Sequence, residues 1–264
     1  MNLHNYISNK INENKPLDFG TIFSDSFELF KKTWIQGLIH QLFVMLLMLP
    51  FIIAVYIPFI MLIFAQAGNL ESSNSEVFST FIAGFSIGYI LFFFIAMIIL
   101  GGLSLALNAA LYRIIKMLDH GEQVQTSDFF YFFKGRHIGK LIGLMFISMA
   151  IATVAALACY LPIFYVMVPL TFFVPFFAFN PELGVGDIIS FAFKLGTKKW
   201  LIVFGLIIIS SLLASIVGFL LCGIGTLFTA AFVYHPVYLV YKETIGFDND
   251  SPESSLQVFN YTED

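Results

Sequence analysis

Charge is scarce in this chain: 11% of its 264 residues are Asp, Glu, Lys or Arg, while 59% are hydrophobic and 33 are Phe. A water-soluble domain carries about 25% charged residues. A surface this apolar is costly in water, and a bilayer accepts it without penalty. The shortage of charge therefore excludes an ordinary soluble globule. Cationic excess is missing as well, since the net charge is -4, and a nucleic-acid binder needs a basic stripe to neutralise phosphates. Two cysteines, Cys159 and Cys222, are too few for a disulfide framework or a zinc cage. The five histidines, His4, His40, His120, His137 and His235, include no pair at the i, i+3 or i, i+4 spacing of a metal site on one helix. There is no Gly-rich phosphate loop, no Gly-x-Ser-x-Gly elbow and no pair of intramembrane carboxylates. Neither an enzyme nor a metal or organic cofactor is expected.

Long hydrophobic runs are abundant. A span needs about 20 predominantly apolar residues, and six segments qualify, at about 35–56, 78–111, 138–159, 161–179, 201–221 and 223–241. Lys140, near the start of the third, is their only charged residue. Proton-coupled transport draws on ionisable groups inside the spans, and this chain offers almost none. The second run is longer than a bilayer requires, which predicts a break at Gly101 and Gly102. Residues 57–67 are apolar but too short to cross, and predict an outer re-entrant or surface segment before the polar loop 68–76. Residues 1–34 contain no continuous apolar core of a cleaved signal peptide, so insertion starts with the first span.

The basic residues set the orientation. Lys10, Lys15, Lys31 and Lys32 precede the first span; Arg113, Lys116, Lys134, Arg136 and Lys140 lie around the second-to-third connection; Lys194, Lys198 and Lys199 separate the fourth and fifth; Lys242 follows the sixth. The alternate connections carry none. The positive-inside rule then places both termini in the cytoplasm, and the membrane expected is the inner membrane of a bacterium.

A threefold pattern organises the sequence. Between a polar N-terminal segment, 1–16, and an acidic tail, 247–264, expected to be disordered and cytoplasmic, the membrane domain 17–246 divides into units at about 17–118, 122–180 and 184–244. Each starts with an amphipathic stretch and continues into a hairpin of two spans. Phe19, Ile22, Phe23, Phe27, Phe30 and Trp34 share one helical face in the first stretch. Lys31-Lys32-Thr33-Trp34 resembles Thr197-Lys198-Lys199-Trp200, and a 63-residue shift sets Cys159 on Cys222. The fold class predicted is thus an all-α integral membrane protein of six transmembrane helices in three pseudo-repeated units. The amphipathic stretches are expected as an interfacial collar, with Trp34 and Trp200 as anchors at the headgroup level; the alternative makes them connectors packed on the bundle. Cys159 and Cys222 are expected at the outer turns of matching hairpins, as neighbouring thiols.

His40, Asn108 and His235 sit at a common depth, about 8–10 Å inside the cytoplasmic edge at 1.5 Å per helical residue. They are the candidates for a polar cleft that holds a lipid headgroup or small ligand; the competing role is interhelical hydrogen bonding. Gly84 and Gly88, Gly139 and Gly143, and the stripe Ser211, Ser215, Gly218 and Cys222 predict close helix packing.

Leu17-Asp18-Phe19-Gly20 with 27–34, then the hairpins, then the block ending at 236–243, resemble a family of bacterial multi-pass membrane proteins. That family includes the membrane domain found ahead of some glycerophosphodiester phosphodiesterases. The resemblance implies six spans and no established chemistry. Three function classes follow in order: a non-enzymatic membrane scaffold or assembly factor, a lipid-handling or passive small-molecule transport protein, and a membrane enzyme. The partners expected are membrane lipids and other membrane proteins, with no nucleic acid.

Overall fold

The computed structural model describes residues 3–68, 75–158 and 161–247, with the side chains of 57–59, 61–68, 75–87 and 90 outside that description. The expectations for Cys159, the loop 69–74, the side-chain surroundings of Gly84 and the tail 248–264 lie outside the described residues. Every element within them is helical, with no strand. Five helices are long and apolar enough to cross a membrane: Phe19–Tyr56, Leu91–Asp119, Gly135–Leu157, Leu161–Phe179 and Trp200–Leu220.

Within the polar segment 1–16, helix α1 spans Leu3–Glu13. Ile7 and Ile11, four residues apart on one face, are fully buried, which anchors an otherwise polar helix. Lys198 closes its last turn by donating from Nζ to the Ile11 carbonyl at 3.0 Å, the favoured place for a cation at a helix C-terminus. Helix α2, Phe19–Gly68, is capped by Asp18, whose Oδ1 accepts from the Thr21 backbone N–H at 2.7 Å and its hydroxyl at 2.9 Å. Those bonds hold the Asp18 carboxyl below its usual range. No stop signal separates the amphipathic stretch from the first span, and α2 continues as helix through 57–67, where a re-entrant segment was expected.

Helix α3, Ser75–Asp119, also runs unbroken, past Gly101 and Gly102. These glycines admit a neighbour instead. A Cβ added at Gly102 would lie 2.7 Å from Ile142, and one at Gly101 would overlap Met145, both on helix α4, Gly135–Leu157. The expected pair Gly139 and Gly143 behaves oppositely, since an added Cβ at either meets nothing within 4 Å. That stripe is open rather than packed.

The fourth span is two helices, α5, Leu161–Thr171, and α6, Phe173–Phe179. Pro175 explains the break: it has no N–H for the carbonyl four residues back, at Thr171. Helix α7, Val185–Lys198, leads into α8, Trp200–Leu220, and Gly196 of α7 lies where a Cβ would be 2.7 Å from the Pro169 backbone. The sixth apolar segment is fragmented into α9, Gly225–Thr229, a 3-10 turn, Ala230–Val233, and α10, Tyr234–Thr244. Pro236 causes this break too, because it orphans the Phe232 carbonyl. His235 Nδ1 lies 3.3 Å from that oxygen and 3.0 Å from the Ala231 carbonyl.

The amphipathic faces turn into protein. Phe27 and Phe30 of α2 meet Phe232 at ring separations of 4.8 and 5.4 Å. Phe132, in a 3-10 helix spanning Thr126–Phe133, meets Phe177 of α6 at 5.2 Å, and Phe191 of α7 meets Phe176 at 6.0 Å. The stretches pack on the bundle through these rings, Phe27 and Phe30 remaining half-buried.

Candidate functional site

Two of the three cleft candidates touch. The Asn108 side-chain oxygen accepts from His40 Nε2 at 3.0 Å and from the Tyr234 hydroxyl at 3.0 Å, joining α2, α3 and α10. His40 is 2% exposed, and its Nδ1 has no hydrogen-bond partner among the described residues. His235 faces elsewhere. With Nδ1 donating to the Ala231 carbonyl, its Nε2 accepts from the Thr33 hydroxyl, which ties α10 to α2. His235 therefore does not join His40 and Asn108 in one cleft.

A cavity of about 280 Å³ opens beside the His40 network, walled by Leu170, Val174, Ile207, Val233 and Val237, with Asn108, Tyr112, Thr171 and Tyr234 as its polar edges. Tyr112 is 3% exposed, and its hydroxyl makes no hydrogen bond among the described residues. It packs edge-on to Tyr234 at 5.5 Å. No charged side chain lines this cavity. Of these polar edges only Asn108 was expected from the sequence; Tyr112 is four residues from Asn108, on the same face of α3, and Tyr234 immediately precedes His235.

A second, wholly apolar groove of about 610 Å³ runs between α2 and α3 past Leu46, Pro50, Phe92, Ile95 and Ile99, closed at one end by Phe130 and Phe133. Its walls form part of an outer surface that exposes large apolar side chains, including Leu46, Leu157, Leu201 and Phe219. That surface suits hydrocarbon.

The basic residues gather at one end of the bundle through a chain of contacts. Arg113 pairs with Asp128 at 3.0 Å, Lys15 with Glu243 at 2.6 Å, and Lys242 with Asp119 at 2.6 Å. Asp119 also accepts from the Tyr238 hydroxyl at 2.7 Å. Lys140 Nζ donates to the Pro181 and Leu183 carbonyls, just beyond α6. Trp200 donates from its indole N–H to the Tyr165 carbonyl at 3.1 Å, while Trp34 is 41% exposed, near Phe228. Cys222 is exposed at the far end of α8, in a left-handed turn with φ of 55°.

No group of three His, Cys, Asp or Glu side chains placed to hold a metal ion occurs among the described residues. No protein-family model, curated protein or solved structure matches the chain.

Proposed function

We propose that this chain is a bacterial cytoplasmic-membrane protein that binds the uncharged head of a lipid or similar small amphiphile in its central cavity. The observation that carries this reading is the Tyr112 hydroxyl, without a hydrogen-bond partner among the described residues, on a cavity that also meets Asn108 and Tyr234. A ligand carbonyl or hydroxyl in the cavity supplies that partner, a bond worth about 0.5–1.5 kcal/mol. Aliphatic walls favour hydrocarbon, and the absence of charge on them disfavours a phosphate. At about 30 Å³ per water-sized group, the space takes roughly nine such groups, the size of a headgroup rather than a whole lipid.

Six spans with both termini cytoplasmic complete the reading. The basic residues on alternate connections support it. So does the recurring element order of the second and third units, whose first spans end 63 residues apart at Leu157 and Leu220 and whose second spans are both interrupted near a proline. The test is native mass spectrometry of the protein extracted in mild detergent. Wild type carries one uncharged lipid per chain, Tyr112→Phe holds it more weakly, and Val237→Trp, which fills the cavity, loses it. A wild-type protein without bound lipid, or variants that retain it undiminished, contradict the proposal.

A scaffold role is the second reading, favoured by the open Gly139 and Gly143 face of α4, where a helix of another protein can approach closely.

A further inference from the structure

At the basic end, a groove of about 430 Å³ lies where the α1–α2 linker meets the α7–α8 junction, lined by Leu17, Phe19, Lys198, Lys199, Leu201 and Ile202. Among the described residues, neither of its two cations has a carboxylate partner. Lys198 Nζ donates to the Ile11 carbonyl and to Asn12 Oδ1, and Lys199 Nζ to the Lys15 carbonyl, all neutral acceptors. The nearby acids are committed elsewhere: Glu243 pairs with Lys15, Glu13 with Lys10, and Asp18 turns onto Thr21. Lys199 is 7% exposed, so its charge is poorly solvated, and burial followed by the neighbouring Lys198 pushes its ammonium below the usual lysine range. A buried cation without a counter-charge is costly, and an anion at hydrogen-bond distance offsets that cost.

The remaining walls state where the anion comes from. Leu201, 79% exposed, and Ile202 open the first turn of α8, a candidate membrane span, so the groove runs from lysines at the end of that span onto its apolar flank. An ammonium pair followed by an aliphatic track matches a phosphodiester followed by an acyl chain, whereas a free phosphate uses only the first half. Basic pockets between spans on the cytoplasmic side hold anionic headgroups by the same physics.

We infer that this groove is a binding site for an anionic phospholipid, with its phosphodiester on Lys198 and Lys199 and its acyl chain along Leu201 and Ile202. The site is distinct from the uncharged central cavity and does not depend on it.

The experiment is thermal unfolding of the full chain in a neutral detergent, with phosphatidylglycerol, phosphatidylcholine or inorganic phosphate added at equal concentration. Phosphatidylglycerol raises the Tm of wild type by several degrees, and the other two leave it unchanged. Lys199→Gln loses the response, and Lys199→Arg, which keeps the charge, retains it. Leu201→Glu puts a carboxylate at the exposed mouth without touching the Lys15 bond and also loses the response, which keeps the test decisive if Lys199→Gln fails to fold. An equal shift with phosphatidylcholine, a shift reproduced by inorganic phosphate, or a full response in Leu201→Glu overturns the inference.

Discussion

The two ends of this bundle are built on different terms. At the basic end, α1, the 3-10 helix 126–133, α6, α7 and α10 bury Phe132, Phe176, Phe177, Phe191, Tyr238 and Tyr241 almost completely, and ion pairs stitch the elements together. Towards the other end, Leu46, Leu91, Leu157, Phe219 and Leu220 face outwards. The first arrangement resembles a soluble core and the second leaves its apolar side chains outside. The difference teaches where stability resides. Burial from water drives packing only where water is the alternative; apolar side chains gain little by leaving lipid for protein, and helices there associate through close packing and hydrogen bonds.

The sharpest way to break this comparison is one phenylalanine from each region. Phe176→Ala empties a fully buried site and is expected to cost about 3–5 kcal/mol, read as a large fall in Tm in detergent. Phe219→Ala, at a side chain 83% exposed, is expected to leave the Tm within a degree or two. Similar losses for both variants would mean that the two ends are not built differently.

Asp119 sharpens the polar half of the contrast. It takes hydrogen bonds from both Lys242 and Tyr238, and a bond to a charged group is worth about 1.5–3 kcal/mol. Asp119→Ala is expected to destabilise within that range, with Tyr238→Phe costing less because the ion pair to Lys242 survives. Chemical denaturation monitored by fluorescence of Trp34 and Trp200 checks the order.

A smaller effect belongs to the cap of α2. The Thr21 bonds lower the Asp18 pKa on folding, so its contribution to stability is present above the ordinary carboxylate pKa and is lost as pH falls through the lowered folded value. Asp18→Asn keeps an acceptor for Thr21 and removes this acid dependence. Its stability profile is therefore expected to be slightly flatter than wild type on the acidic side, and a steeper acid loss in the variant contradicts the assignment.

Much of this was legible in the sequence, and the failures have common causes. Hydropathy predicted six spans, and five of the six segments coincide with helices long and apolar enough to cross a membrane; the shared depth of His40 and Asn108 anticipated their hydrogen bond. Depth says nothing of azimuth, which is why His235 was grouped with them although it points at Thr33. The sixth segment breaks into three short pieces around Pro236, a fragmentation that hydropathy does not register. Gly101 and Gly102 were read as a breaking point, and Gly139 and Gly143 as a contact, because a sequence shows small residues without showing what approaches them. Residues 3–13 looked polar since only Ile7 and Ile11 anchor them.

The claim beneath all of this is that the stitched end faces the cytoplasm and the Cys222 turn faces outwards. With Cys159→Ser, native Cys222 is an exposed thiol at the far end of α8; with both cysteines replaced by serine and Lys31→Cys added, an exposed position at the basic end carries the only thiol. An impermeant maleimide applied to intact cells, after permeabilising any outer membrane, is expected to label the Cys222 protein and to spare the Lys31→Cys protein until the cells are lysed. Labelling of Lys31→Cys before lysis, with Cys222 spared, would place the molecule the other way round and contradict the account.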